Sequence, residues 1–304
     1  MEAGKKNLAF GIIMLIISGL CWSSISLLSK IGIEDGLNSI TINAARFFVG
    51  GGFVFFYLLL FRRVAFKISL RQFILLFVLG VFDYAIGGIL FIGSLHFIDA
   101  SLSFLVLYTY PAIVVIISVL AGREKFRLYK VIAVILTIVG VAFVLEAGTA
   151  VDGDEWIGVA MVISAAFVFS IYLVIVEAMM EKVRASTVSF YSLFAGAIGI
   201  LMLMPFYPIT WEAAMRPGNL VILGVVAIIG TAISLVLFLV GVRHVGATKA
   251  AVLTTIEPIF VVVIAGMFLN ESLSIWQVVG MAIQLYGVFL VNKEPHRQPE
   301  PGPG

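Results

Sequence analysis

The stretch Ala247–Leu273, ATKAAVLTTIEPIFVVVIAGMFLNESL, places Glu257 directly before Pro258 inside an apolar run long enough to cross a bilayer. Both residues are costly there. A carboxylate at membrane depth costs between about 2.5 and well over 10 kcal/mol depending on its solvation, so it faces a protein interior or a wet cavity. The proline frees a backbone carbonyl one turn earlier, which neighbouring helices or water must satisfy. The earlier stretch Ala100–Phe126, ASLSFLVLYTYPAIVVIISVLAGREKF, has the same layout, and its Pro111 and Glu124 lie 147 residues before Pro258 and Glu271. Two copies of one costly arrangement predict a site shared between two halves.

The same offset of 147 also carries Gly11 to Gly158, Ser23 to Ser170, Phe47 to Phe194, Phe91 to Phe238 and Gly140 to Gly287. No gap is needed. A window of roughly 20 apolar residues gives ten candidate spans, near 9–29, 39–61, 72–94, 100–121, 129–147, 156–179, 187–205, 219–242, 247–269 and 275–292. Each repeat then holds five spans. An odd number makes the second copy enter the membrane upside down, the arrangement by which transporters build two gates around one midplane site.

Composition supports a polytopic helical membrane protein: the chain of 304 residues is 62% hydrophobic and 12% charged, with a mean hydropathy of +1.17. A soluble domain must cover its surface with polar side chains. The single cysteine, Cys21, excludes a disulfide framework. The first span lacks a small-residue cleavage site and reads as a retained helix.

Basic residues set the orientation. With the N-terminus in the cytoplasm, sixteen lysines and arginines fall on the inner side, against Lys30 and Arg216 outside and Arg46 within the second span. The inner set includes Lys5, Arg62, Arg63, Lys67, Arg71, Arg123, Lys125, Arg184 and Lys249. Glu34, Asp35, Asp99, Asp152, Asp154 and Glu271 face out. Both termini are expected in the cytoplasm, and the proline-rich tail Glu294–Gly304 is expected to be disordered.

The segments GLCWSSISLLSK in the first span, LYTYPAIVVIISVLAGREKF and LTTIEPIFVVVIAGMFLNESL, together with Gly140 and Gly287, resemble the drug/metabolite transporter superfamily. Its ten-helix branch is made of two EamA-type domains, and the likeness is to permeases that export aromatic amino acids or other metabolites. It runs from about Ala9 to Asn292 and implies domains at 9–147 and 156–292. The implied fold is all-α, a basket of two inverted five-helix repeats around a cavity walled by spans one, three, four, six, eight and nine. The implied function is secondary transport of small organic solutes across the plasma (inner) membrane. A facilitative exchanger of sugar-phosphate-like or quaternary-amine solutes is the alternative.

Within that frame the substrate and coupling candidates are Trp22, Ser26, Asp83, Tyr84, Tyr108, Tyr172, Thr254 and Glu257, with Pro111 and Pro258 as helix breakers. Glu257 shares a helix face with Thr254, Ala250 and Val261, a small and partly polar surface suited to bordering water. It reads as a proton-titrating or cation-attracting group, or as a hydrogen-bond acceptor that locks a broken helix. Asp83 shares its face with Gly80 and Gly87 and reads as a second cavity acid. Arg46 reads chiefly as a structural anchor of the second span and secondarily as an ionic partner for either acid. Ser18, Trp22, Ser26 and Ser29 form one stripe expected to meet the cavity, and Tyr84, Tyr108, Tyr110 and Tyr172 would complete an aromatic lining that grips planar or cationic solutes. Lys30 and Glu177 read as boundary charges, and the sequon at Asn270 is discounted.

Other classes fit poorly. Asp83 is the only aspartate inside a span, and no histidine lies where it could serve an intramembrane serine nucleophile. No phosphate-binding glycine loop, metal-ligand spacing or channel filter is present. No cofactor and no nucleic acid are expected. The expected partners are a small-molecule substrate, the lipid bilayer and protons as a candidate coupling ion, with the chain a monomer or weak homodimer.

Overall fold

The computed structural model describes residues 2–61, 68–123, 127–145, 153–180, 182–246, 250, 253–254, 256–269 and 271–290. Several residues named above lie outside them: Arg62, Arg63, Lys67, Glu124, Lys125, Asp152, Lys249, Asn270 and the tail 294–304.

The described chain is helical, with no strand among the described residues. Seven helical segments are long and apolar enough to cross a membrane: α1 (within Glu2–Glu34), α2 (Ser39–Phe61), α3 (Leu70–Ser94), α4 (Ala100–Leu120), α6 (Gly153–Met180), α7 (Ala185–Leu203) and α8 (Pro217–Val245). Three shorter apolar helices are α5 (Leu128–Val144), α9 (Ile256–Phe268) and α10 (Ile275–Leu290), of 17, 13 and 16 residues, and a single helical turn lies at Trp211–Ala214. Within the expected ninth span, the described residues show a turn at Thr254 and helix over Ile256–Phe268. Pro258 cannot donate to the carbonyl four residues back, so the turn falls where that bond is missing.

Local chemistry sets the helix starts. Asn38 caps α2, its Oδ1 accepting from Thr41 N at 2.9 Å. Ser69 and Gln72 form a reciprocal capping box at the start of α3. Pro217 sits in the first turn of α8, where its missing N–H costs nothing. Inside α4 the helix is interrupted at Tyr108–Thr109, just before Pro111.

Packing is inverted relative to a soluble protein. Phe56, Leu60, Leu120, Ile138 and Met267 stand outward, while Ser18, Asn43, Ser103, Ser192 and Gln284 are buried. Interior polar groups tie helices together: Ser18 Oγ donates to Ser234 O at 2.8 Å, and Gln284 Nε2 to Leu105 O at 3.1 Å. Helices α5 and α10 meet backbone to backbone. A Cβ on Gly140 would lie 2.7 Å from Gly280 O, and one on Gly287 would lie 2.8 Å from Ala133 O. At the end bearing Asp35 and Glu271, contacts cross between the halves. Arg216 pairs with Asp35 at 2.7 Å, and Glu271 accepts from Ala100 N and Ser101 N at 3.0 and 2.9 Å.

Candidate functional site

A cavity of about 110 Å³ lies among α1, α2, α3, α4, α6, α8 and α9. For scale, an apolar cavity of about 150 Å³ accepts benzene. The wall differs from the expected set by including α2, which contributes Arg46 and Phe47. Three helices reach it through π-helical turns, at Ala45–Val49, Val81–Gly87 and Val226–Ile233. Each such turn carries an extra residue and rotates the side chains that follow, a distortion frequent at functional sites. The second and third occupy nearly equivalent places in the two halves, because an offset of 147 carries residues 81–87 to 228–234.

Equivalent positions of the halves meet here in pairs. Trp22 and Phe169, Tyr84 and Thr231, Gly88 and Leu235, and Tyr110 and Glu257 all line the cavity, each pair related by the offset of 147. Trp22 stands edge-on to Phe169 with ring centres 5.8 Å apart, and Phe169 stands edge-on to Tyr110 at 5.1 Å. Tyr108 extends this aromatic chain, 5.4 Å from Tyr110.

Glu257 is only 3% exposed. Among the described residues its Oε1 has no hydrogen-bond partner. Its side chain lies against Gly19 of α1, where an added Cβ would sit 2.8 Å from Glu257 Cγ and 2.9 Å from Oε1. Tyr108 and Tyr110 clamp the turn that presents it. The Tyr108 hydroxyl donates to Thr254 O, and Tyr110 Oη lies 2.8 Å from Thr254 Oγ1.

Asp83 lines the cavity from the π turn of α3, with Gly87 beside it: a Cβ there would lie 3.5 Å from Asp83 Oδ1. Gly80 faces α7 instead, against Ala195 and Ser192 O. Across the cavity wall, Arg46 donates from Nε to Thr231 Oγ1 at 3.0 Å and from Nη1 to Asn43 Oδ1 at 2.9 Å. Its guanidinium also lies 5.3 Å from the centre of the Phe47 ring. No carboxylate approaches it within ion-pair distance among the described residues.

The structure therefore brings Trp22, Asp83, Tyr84, Tyr108 and Glu257 to one cavity. It places three other candidates behind the wall. Ser26 is fully buried and its hydroxyl turns back to Ser23 O at 3.5 Å. Ser18, also fully buried, donates to Ser234 O of α8, so neither serine lines the cavity. Tyr172 supports Tyr84 from the rear, with Tyr84 Oη donating to Tyr172 Oη at 3.4 Å and Ser192 Oγ 3.0 Å beyond. Thr254 holds the turn through Tyr108 and Tyr110. Pro111 sits just after the interruption of α4, and Pro258 lies in the first turn of α9.

Sequence reasoning missed Gly19 altogether and treated Arg46 chiefly as an anchor. A glycine in an apolar helix gives no sign of which neighbour it admits. Arg46 did carry a signal, being the one basic residue well inside a predicted span, away from its ends. Near the C-terminal end of α1, Lys30 donates to Leu95 O and Ile98 O at 2.9 and 3.2 Å. Nearby Asp99 has its pKa raised, first by burial and then by Glu271, against the pull of Lys30.

Comparison with known proteins now bears on this arrangement. The EamA-like transporter family matches the chain twice, over residues 9–146 and 156–293. The chain belongs to the EamA-like transporter family. The uncharacterized transporter YcbK of Bacillus subtilis (strain 168) is 23% identical to it over 225 residues, covering 70% of this chain and 68% of its own. An uncharacterized transporter of Methanothermobacter thermautotrophicus is 23% identical over 309 residues, covering 95% of this chain and 88% of that one. A solved crystal structure superposes with a TM-score of 0.69 at 16% identity, over 93% of this chain and 96% of its own, a likeness of fold alone. Membership in the EamA-like family makes this a multi-pass membrane transporter and points away from an enzyme.

Proposed function

We propose that this EamA-like protein is a secondary transporter that exports amino acids or related metabolites across the plasma membrane by alternating access. The chain crosses the membrane ten times, the seven long helices being joined by α5, α9 and α10. It forms two inverted five-helix units, 9–147 and 156–292, with both termini in the cytoplasm. Trp22, Tyr84 and Tyr108 hold the solute by stacking, and one of the two cavity acids, Glu257 or Asp83, exchanges a proton for it.

One observation carries this reading. A cavity lined by repeat-equivalent residues from both halves is walled with aromatic rings, two acids and a base. Inverted repeats that share a midplane site can rock about it and expose it to each side in turn.

Uptake and counterflow into proteoliposomes, over a panel of amino acids, amines and sugar phosphates, test the proposal. Saturable flux of amino acids above protein-free vesicles is expected. Flux confined to sugar phosphates or quaternary amines, indifferent to a pH gradient, would make the protein a facilitative exchanger of those solutes. For topology, a cysteine replacing Asp154 in a Cys21→Ala background is expected to react with impermeant reagent from outside, and one replacing Arg184 only from inside.

A further inference from the structure

We propose that Arg46 is the anion-anchoring residue of the cavity and that the solute binds with a carboxylate on its guanidinium. The assignment rests on the transport reading above and names the chemical class of the solute. Arg46 is 8% exposed, yet it lines the cavity. Its hydrogen-bond partners Asn43 and Thr231 are neutral and themselves oriented before any solute arrives. Asn43 Nδ2 donates to Ser39 O at 2.9 Å, which turns Asn43 Oδ1 toward Arg46. Thr231 Oγ1 donates to Val226 O at 2.8 Å, which leaves its lone pairs for Arg46 Nε. This clamp fixes the planar fork and leaves three of its five N–H donors for a ligand.

A structural anchor would be expected to close on a carboxylate, because a buried cation held by neutral groups alone is costly. Asp83 shares the cavity wall with Arg46 but makes no ion pair with it. The fork therefore lines the cavity without a bridging acid, and Asp83 acts on its charge only from beyond ion-pair distance. Guanidinium matches a carboxylate or phosphate in bidentate geometry. Asp83 and Glu257 decide between them. Two acids on the wall of a cavity of about 110 Å³ disfavour a dianion and favour a monoanionic carboxylate that also carries a cationic group.

The test uses full-length protein in proteoliposomes and matched probes that differ only in the acid: phenylalanine and phenylalaninamide, leucine and leucinamide, with glucose 6-phosphate and choline as outliers. The acids are expected to compete at least tenfold better than their amides. Arg46→Gln should weaken the acids by roughly 10- to 100-fold, the scale of hydrogen bonds to a charged group, and leave the amides unchanged. Arg46→Lys, which keeps the charge but not the fork, should recover part of the loss. Thr231→Val, which frees Nε from its clamp, should cost several-fold, and it carries the test should Arg46→Gln fail to fold. Amides that compete as well as acids, or a folded Arg46→Gln with unchanged acid affinity, would overturn the assignment. So would flux of glucose 6-phosphate or choline without any carboxylate, which leaves transport itself intact. No flux of any probe would remove the transport reading and this assignment with it.

Discussion

The two halves of the molecule share a backbone plan and differ in chemistry at the cavity. Where the first half presents Trp22, Tyr84, Gly88 and Tyr110, the second presents Phe169, Thr231, Leu235 and Glu257 at the same repeat positions. The π turns of α3 and α8, the broken helices and the glycine contacts recur in both copies, because they shape the bundle, whereas the π turn of α2 falls opposite regular α-helix in α7. The charged groups do not recur. Asp83 corresponds to Gly230, Arg46 to Leu193 and Glu257 to Tyr110. The repeated backbone thus brings equivalent positions of both halves to one cavity, and asymmetry of the side chains supplies one polar site inside it.

The largest effect is expected where that asymmetry is greatest. Glu257→Gln should fold and still exchange solute but lose the dependence of flux on an imposed pH gradient, whereas Tyr110→Phe should keep it. Solute flux in proteoliposomes with and without the gradient reads both, with Asp83→Asn as the parallel variant. Sensitivity that survives in Glu257→Gln and vanishes in Asp83→Asn would move the proton to α3. Wild-type flux indifferent to the gradient would remove coupling from both halves.

Next comes the aromatic pair. Trp22 touches Phe169 and Phe238, with ring centres 5.8 and 4.9 Å away. Trp22→Ala should weaken solute affinity by about 1–3 kcal/mol, and Phe169→Ala by less. Unchanged affinity with a lowered thermal midpoint would show that the ring only packs.

A smaller effect is expected at Gly19. Alanine there raises helix propensity by about 1 kcal/mol, so the thermal midpoint should hold or rise. The added methyl displaces the Glu257 carboxyl, so flux should fall several-fold. Ala166→Gly, the same position in the second half, should lower stability without that loss of flux. Full activity in Gly19→Ala would contradict the placement of Glu257.

Smallest is the surface carboxyl Asp99, whose pKa is raised in the folded protein by burial and by Glu271. A raised carboxyl binds its proton more readily folded than unfolded. Its stabilising contribution is therefore complete below the unfolded value of about 3.9 and is lost as pH rises through the higher folded value. Thermal midpoints across that window should show this slope in the wild type and lack it in Asp99→Asn.

Much of this was legible in the sequence, for identifiable reasons. Apolar runs, the offset of 147 and the Glu257–Pro258 pair are patterns along the chain, and they placed the helices and the interruptions. Trp22, Asp83 and Glu257 were legible as cavity residues because such groups are costly anywhere else in a membrane. Ser18 and Ser26 were misplaced because a polar stripe looks the same whether its hydroxyls face water, bond a neighbouring helix as Ser18 does, or turn back on their own helix as Ser26 does. Tyr172 was misplaced for a related reason. The side chain that touches the cavity and the one supporting it differ only in depth, which depends on α3 packing across α6. The π turns were invisible too, and they rotate Arg46 and Thr231 into contact between helices 185 residues apart in sequence.

The central claim is that both halves expose one cavity to each side of the membrane in turn. Single cysteines replacing Phe91 on the first half and Leu235 on the second, in a Cys21→Ala background, test it most directly. Both positions line the cavity. The account predicts that each reacts with impermeant reagent applied from either side of the membrane, and that transported solute slows both reactions. Reaction from one side only, at both positions and regardless of solute, would contradict it.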